Sequence, residues 1–171
     1  MLSRRTFLLT SAAGGAALIA GSLSWRNAAY AAPATTAAST VYEVMHSDAE
    51  WKKLLTDQQF DVLRRAGTER PYSSPLNSEH RRGTFSCAGC QLPLFSSNTK
   101  FDSHTGWPSF WKPLPRAVND KTDSTLGMDR TEVLCRRCGG HLGHVFDDGP
   151  APTGLRYCMN GVAMNFTPGA A

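Results

Sequence analysis

The five cysteines of this chain divide into two pairs and one single residue. Cys87 and Cys90 form one C-x-x-C motif, Cys135 and Cys138 form a second, and Cys158 stands alone in the segment RYCMN. Each C-x-x-C turn directs two thiolates towards one point, so two such pairs are what a tetrahedral zinc site requires. Cys158 is left without a metal to bind, and such a thiol is either incidental or a nucleophile.

The two cysteine pairs are separated by a long segment that contains no other cysteine. This spacing indicates a metal that joins two β-turns of one domain that are distant in sequence. Four thiolates leave no open coordination position, so the predicted zinc stabilises the fold and takes no part in chemistry. Gly89, Gly139 and Gly140 stand where such turns need an unhindered backbone. Disulfides or a redox-active C-x-x-C are the alternative for a protein in an oxidising compartment.

Two histidines, His141 and His144, follow the second cysteine pair in the segment HLGH. The segment lacks the glutamate of an H-E-x-x-H peptidase site, and Gly143 disfavours a helix, so a catalytic zinc is not indicated. A histidine near a thiol can take the thiol proton or protonate a departing oxygen. The alternative is that both histidines are solvated turn residues or support the metal ligands.

Arg156 and Asn160 lie two residues before and two residues after Cys158 on a predicted strand, so the three side chains share one face. Arg156 would lower the pKa of the thiol, and Asn160 could hydrogen-bond a substrate. These residues predict a cysteine-based enzyme assisted by histidine. The alternative is that Cys158 is an inert buried thiol.

Residues 1–31 predict an export signal. The segment SRRTFL is a twin-arginine motif, an apolar run rich in Gly and Ala follows it, and Ala29–Ala31 fits signal peptidase cleavage before Ala32. An uncleaved membrane anchor is the alternative, but glycines interrupt the run, which is short for a span of about 20 residues. Because twin-arginine export carries folded proteins, we expect zinc to load in the cytoplasm of a bacterium and the protein to work in the periplasm or beyond it.

The net charge of the whole chain is +4, but the signal removes three arginines and no acidic residue, which leaves +1. Nucleic acid is therefore not indicated as a partner. Residues 32–46 are expected to form a linker and N-terminal extension, and residues 47–168 a single domain. We expect a monomer with no stable membrane anchor after cleavage.

Two short helices are predicted between about residues 48 and 66. Ser47 with Glu50 and Thr56 with Gln59 form capping boxes, and Gly67 is placed as a C-cap. Beyond the second helix, recurrent Pro and Gly separate short runs typical of strands. The predicted strands are Thr84–Phe85, Leu92–Phe95, Glu132–Leu134 and Val162–Phe166. The pattern predicts a mainly β, antiparallel domain behind a small helical cap.

Three segments carry longer motifs: GTERP from Gly67, CAGCQLPLFSSNTKFDSHTGWPSF from Cys87, and CRRCGGHLGHVFDDGPAPTGLRYCMN from Cys135. Together they resemble the methionine sulfoxide reductase B family, and the resemblance runs from about Trp51 to Phe166. It implies two antiparallel β-sheets leaning together in a β-tent and a structural zinc on the two C-x-x-C pairs. It also implies thiol-dependent reduction of the R epimer of methionine sulfoxide in proteins and peptides.

The resemblance implies a role for each candidate residue. Cys158 would attack the sulfoxide sulfur, while His141 and His144 would polarise and protonate the sulfoxide oxygen. Trp107 would form an apolar wall for the substrate methyl group, and Asn160 would orient the substrate or a water.

Arg156 would hold the Cys158 thiolate, steadied by Asp147 or Asp148. The product would be methionine and a Cys158 sulfenic acid, one reversible step up the cysteine oxidation ladder.

One position departs from the family pattern. Thr105 stands where many members have a resolving cysteine, and His104 stands where glycine is common. We therefore expect an external reductant, either a thioredoxin-like protein or a small thiol, to recycle the enzyme. A zinc-stabilised binding module without turnover is the alternative function.

Overall fold

The computed structural model describes residues 41–124, 127 and 129–169, so the predicted signal peptide and the linker up to residue 40 lie outside the described residues. Two helices, α1 (Asp48–Leu54) and α2 (Asp57–Arg65), open the domain. In the described part of the chain the strands are β1 (Gly83–Cys87), β2 (Pro93–Ser96), β3 (Lys100–Phe101), β4 (Ser109–Phe110), β5 (Val118–Asp123), β6 (Arg130–Cys135), β7 (His141–Phe146), β8 (Arg156–Met159) and β9 (Met164–Pro168). Within these ranges no helix is long and apolar enough to cross a membrane.

Both predicted capping boxes are confirmed. The Ser47 hydroxyl accepts from the Glu50 N–H at 3.4 Å, and the Glu50 carboxylate accepts from the Ser47 N–H at 2.8 Å. Thr56 and Gln59 make the same reciprocal pair at 3.2 and 3.0 Å. Each box satisfies two backbone donors that a helix leaves unpaired, which lets two short helices form in sequence.

The predicted C-cap at Gly67 is wrong by one residue. Ala66 adopts the left-handed conformation, with φ of 54°, and ends α2. The Gly67 N–H donates to the Asp61 carbonyl at 3.1 Å. The helix buries Phe60 and Leu63 against the domain.

Two antiparallel sheets form the body of the domain, as predicted. The smaller sheet has the strand order β2-β1-β9, and the larger has the order β3-β4-β8-β7-β6-β5. The last predicted strand begins two residues late, at Met164, because Gly161–Ala163 forms a 3-10 helix. Strands β3, β4, β5 and β7 were not predicted.

Four aromatic side chains join the two sheets. Phe85 of β1 and Phe95 of β2 pack on Phe110 of β4, with ring centroids 4.9 and 4.4 Å apart, and Phe95 also lies 5.9 Å from Tyr157 of β8. Such pairs add about 0.5–1.5 kcal/mol each beyond the area that they bury. Because Tyr157 points into this core, the alternation of the strand turns Cys158 to the opposite face.

Residues 41–46, the described end of the predicted linker and N-terminal extension, contact the domain. The Val44 N–H donates to the Arg137 carbonyl at 3.0 Å, and the Glu43 carboxylate is paired with both Arg136 and Arg137. These contacts fix the segment against the turn that carries the second cysteine pair.

Candidate active site and metal site

The four cysteines of the two C-x-x-C motifs meet at one point. All of their sulfur atoms lie within 4.8 Å of one another, with Cys87 and Cys138 3.7 Å apart and Cys90 and Cys135 3.5 Å apart. A tetrahedral ion with metal–sulfur bonds of about 2.3 Å separates its ligands by about 3.8 Å. The cluster therefore suits a metal ion such as zinc, and all five cysteines are free thiols rather than disulfides.

Each cysteine pair lies in a tight turn at the end of a strand. The N–H groups of Cys87 and Cys135 donate to the carbonyl five residues on, at 2.9 and 2.8 Å. Gly139 has the left-handed φ of 68° predicted for a turn glycine, but in the first turn this conformation falls on Gln91, with φ of 60°, and not on Gly89. Since β1 and β6 belong to different sheets, a metal on these thiols would link the two sheets.

Cys158 lies at the centre of the larger sheet. Strand β8 runs between β4 and β7, and in the strand register Cys158 stands opposite Ser109 on one side and His144 on the other. A cavity of about 160 Å³, about five water volumes, opens beside the thiol. It is lined by Thr68, Trp107, Arg130, Gly143, His144, Phe146, Cys158 and Asn160. Four predicted site residues thus share one small cavity.

Gly143 allows β7 and β8 to approach closely beside this cavity. A Cβ at Gly143 would lie 2.1 Å from the Cys158 carbonyl oxygen and 3.0 Å from the Met159 Cα. The glycine therefore permits the register that places His144 next to Cys158.

His144 is oriented by a carboxylate that sequence analysis missed. Its Nε2 lies 2.9 Å from an Asp123 carboxylate oxygen, and the same oxygen accepts from the Arg130 guanidinium at 2.8 Å. This contact fixes the orientation of the ring. Asp123 ends β5, a polar and largely exposed strand whose residues show no apolar alternation.

His141 does not line the Cys158 cavity. Its Nδ1 lies 2.7 Å from a Glu132 carboxylate oxygen, its side chain is 4 % exposed, and it faces a separate surface depression beside Leu63. The register of β7 with β6 shifts between Gly143 and His141, so that His144 stands opposite Glu132 and His141 opposite Leu134. Glu132 and Leu134 are two residues apart on β6, so the two histidines lie on the same face of the larger sheet, with ring centroids 5.4 Å apart. Burial lowers the pKa of His141, and Glu132 partly offsets this effect.

Arg156 shares the face of Cys158, and its guanidinium makes a two-point ion pair. Nε and Nη2 each donate to an Asp148 oxygen at 2.8 Å, so Asp148 rather than Asp147 is the partner. The guanidinium also lies over the Phe146 ring, 4.5 Å from its centroid. These contacts hold the positive charge in place beside the strand.

The environment of Cys158 acts on its thiol in two directions. Burial raises the pKa of Cys158, while the hydrogen bond between Cys158 and Thr105 and the charge of Arg156 lower it. The Thr105 hydroxyl oxygen lies 3.9 Å from the Cys158 sulfur. Burial has the largest effect, so the pKa of the free thiol lies above its ordinary value.

Asn160 is buried and held at both ends of its amide. Its Oδ1 accepts from the Glu69 N–H at 3.0 Å, and its Nδ2 donates to the Leu142 carbonyl at 3.1 Å. One amide hydrogen remains for a ligand in the cavity, because an amide nitrogen carries two.

Glu69 connects the cavity walls, a role that sequence analysis did not assign. Its carbonyl accepts from the Trp107 indole N–H at 3.1 Å, and its carboxylate accepts from the N–H groups of Gly161 and Val162 at 2.6 and 2.9 Å. Burial raises the pKa of Glu69, and the two backbone donors oppose this. No helical or strand periodicity marks the residue, so its only signal was its place in the GTERP motif.

Residues 55–168 match the family described as SelR domain. The chain is 54 % identical over 127 residues to the peptide methionine sulfoxide reductase MsrB of Agrobacterium fabrum (strain C58), covering 74 % of this chain and 94 % of the relative. Two proteins of the same name are also similar. The one from Leptospira interrogans is 54 % identical and covers 73 % of this chain and 96 % of the relative. The one from Methanosarcina barkeri is 55 % identical and covers 72 % of this chain and 87 % of the relative. The chain belongs to the methionine sulfoxide reductase B family.

The metal site generates a prediction about stability. Cys135→Ser is expected to lose the metal and most of the folded protein, because structural zinc contributes on the order of 10 kcal/mol that couples to folding. Elemental analysis of the metal-to-protein ratio and thermal unfolding followed by circular dichroism measure both effects. Cys158→Ser is the matched control and should keep its metal. A Cys135→Ser protein without metal that melts like the parent would show that the cluster is not a structural site.

Proposed function

We propose that this chain reduces the R epimer of methionine sulfoxide in proteins and peptides, with Cys158 as the nucleophile. The observation that supports this most directly is the position of the Cys158 thiol, in register with His144 and beside a small cavity that Trp107 and Asn160 also line. The names of the similar proteins specify the same reaction class, peptide methionine sulfoxide reduction.

The reaction transfers one oxygen and two electrons. The Cys158 thiolate attacks the sulfoxide sulfur and forms a sulfur–sulfur bond, while the sulfur–oxygen bond of the substrate breaks and the oxygen takes up two protons and leaves as water. A water oxygen then bonds to the Cys158 sulfur and loses a proton, and the sulfur–sulfur bond breaks with its electron pair returning to the thioether. Thiol and sulfoxide together give a cysteine sulfenic acid and a thioether, so Cys158 is oxidised and the substrate is reduced. Arg156 stabilises the thiolate, since its charge favours the ionised sulfur.

His144 is the group that protonates the sulfoxide oxygen. It lines the cavity, stands opposite Cys158 in the strand register, and has a carboxylate of Asp123 at its far nitrogen. Asp123 holds the ring in this orientation. His141, which Glu132 holds, contacts this ring on the same face of the larger sheet.

The unequal walls of the cavity support selection between the two epimers. Trp107 and Phe146 provide apolar surface for the methyl group, whereas His144 and the free amide hydrogen of Asn160 provide donors for the oxygen. Exchanging methyl and oxygen in the S epimer would place the oxygen against the aromatic rings and leave it without a donor, which is costly for a buried polar atom.

Glu69 acts as a positioning residue for these walls. It holds Trp107 and Asn160 through its backbone, and its carboxylate orders the chain directly after Asn160. One short segment therefore fixes both the apolar wall and the amide donor.

Four thiolates at tetrahedral spacing support zinc as the resident metal, with a structural role only. The twin-arginine motif and cleavage site support export to the periplasm or beyond, and we expect a monomer. Cell fractionation tests export: replacing Arg4 and Arg5 by lysine should leave the uncleaved protein in the cytoplasm. Secretion of that variant at the parental level would contradict it.

The nucleophile is tested by activity resolved by epimer. The parent with dithiothreitol should convert peptide methionine-R-sulfoxide and leave the S epimer, whereas Cys158→Ser should convert neither while keeping its metal and fold. Chromatographic separation of the two epimers measures the result. Cys158→Ser activity above a few per cent of the parent would remove Cys158 from the reaction, and a parent that binds without turnover would favour the binding module.

The positioning residue is tested by Glu69→Gln. The glutamine amide oxygen can accept from only one of the two N–H groups, those of Gly161 and Val162, and the amide NH2 then faces the other. Because this disorders the chain after Asn160, kcat/KM should fall roughly tenfold, which corresponds to about 1.4 kcal/mol. Glu50→Gln is the control, because glutamine also completes a capping box. Activity of Glu69→Gln within twofold of the parent would contradict the role of Glu69.

Recycling requires an external thiol, because Thr105 offers no sulfur and the other four cysteines hold the metal. A thioredoxin-like protein or a small thiol attacks the sulfenic acid, releases water and forms a mixed disulfide that a second thiol resolves. After one turnover without reductant, mass spectrometry should find a dimedone adduct on Cys158. An intramolecular disulfide from Cys158 to any metal-site cysteine would overturn this recycling route.

A further inference from the structure

A chain of three hydroxyl groups ends at the Cys158 sulfur. The Ser109 hydroxyl lies 2.7 Å from the Ser103 hydroxyl, which lies 2.8 Å from the Thr105 hydroxyl, which in turn lies 3.9 Å from the sulfur. At its far end the Ser109 hydroxyl donates to the Trp107 carbonyl at 3.2 Å. Ser109 is fully buried, so the far end of the chain is shielded from water.

The direction of the chain follows from counting protons, because each hydroxyl donates only one. Ser109 gives its proton to the Trp107 carbonyl and so accepts from Ser103. Ser103 then accepts from Thr105, and Thr105 has lone pairs but no proton left for the sulfur. With Cys158 as a thiol, its S–H therefore donates to Thr105.

Loss of the thiol proton reverses this order. We propose that the Thr105 hydroxyl is a reversible partner of Cys158, which accepts from the thiol and, once the three hydroxyls rotate, donates to the thiolate. Ser103 then donates to Thr105, and Ser109 donates to Ser103. The rotation breaks the 3.2 Å bond from Ser109 to the carbonyl and makes a hydrogen bond to an ionised sulfur, which is the stronger type. No proton travels along the chain, and the thiol proton leaves through the cavity.

This proposal rests on the proposed function in one respect only: it takes the thiolate as the form of Cys158 that reacts. Other charged groups also face the thiol from the surrounding elements, and Thr105→Val leaves all of them in place. They are Arg156 on β8, Asp148 after β7, His144 on β7 and Arg130 on β6. A change in the titration of Cys158 caused by this substitution therefore reports on the hydroxyl.

The experiment measures the rate of alkylation of Cys158 by iodoacetamide as a function of pH, with mass spectrometry to identify the modified residue. Thr105→Val keeps the shape of the side chain and removes the hydroxyl, so the pKa of Cys158 should rise by about 0.5 to 1 unit. Near neutral pH the alkylation rate should fall about two- to fourfold, because a more basic thiolate is also more nucleophilic. Well above both pKa values the variant should react at least as fast as the parent.

Three variants serve as controls. Thr105→Ser restores the hydroxyl and should titrate like the parent, and Thr167→Val, at an exposed position of β9, should have no effect. Ser103→Ala leaves Thr105 against the sulfur and should shift the pKa less than Thr105→Val does. Should the valine variant lose its metal or its thermal transition, Thr105→Ala provides a second removal of the hydroxyl.

Superimposable pH profiles for the parent, Thr105→Val and Thr105→Ser would overturn the proposal. So would a slower alkylation of Thr105→Val at every pH, since that result indicates blocked access rather than a shifted titration. Alkylation needs no sulfoxide, so a parent that fails to reduce methionine sulfoxide would disprove the proposed function and leave this measurement valid.

Discussion

Four thiols that lie close enough to bind one metal ion connect the two sheets. Two of them come from the turn after β1 in the smaller sheet and two from the turn after β6 in the larger sheet. The aromatic core fills the space between the same two sheets, so metal binding and core packing favour one arrangement. Strand β8 lies inside this frame, and its alternation presents Tyr157 to the core and Cys158 to the cavity.

The cavity combines groups that differ in how they are held. Cys158 and His144 are placed by backbone register between neighbouring strands, which is a rigid arrangement. Trp107 and Asn160 lie outside regular strands and depend on hydrogen bonds to one residue, Glu69. Cys158 and His144 therefore tolerate changes in nearby loops better than Trp107 and Asn160 do.

Much of this architecture is accessible from sequence because it depends on local rules. Capping boxes, C-x-x-C spacing and the period of two around Cys158 each involve residues within a few positions of one another. The three carboxylates of Asp123, Glu132 and Glu69 were missed, because each acts on a residue that is distant in sequence or lies across a strand pair. Sequence analysis also predicted neither the strand over the HLGH segment nor the register shift that brings its two histidines to one face of the sheet.

The glycine between those two histidines limits how this site can vary. Where a glycine lets two strands pack backbone against backbone, a single added methyl group is enough to separate them. At Gly143 that methyl group would meet the carbonyl oxygen of Cys158. An alanine at Gly143 would leave thiol and imidazole chemically intact while moving one away from the other. During evolution, substitution of Gly143 would be limited by the distance between the backbones of β7 and β8. This limit applies although Gly143 takes part in no bond that is made or broken.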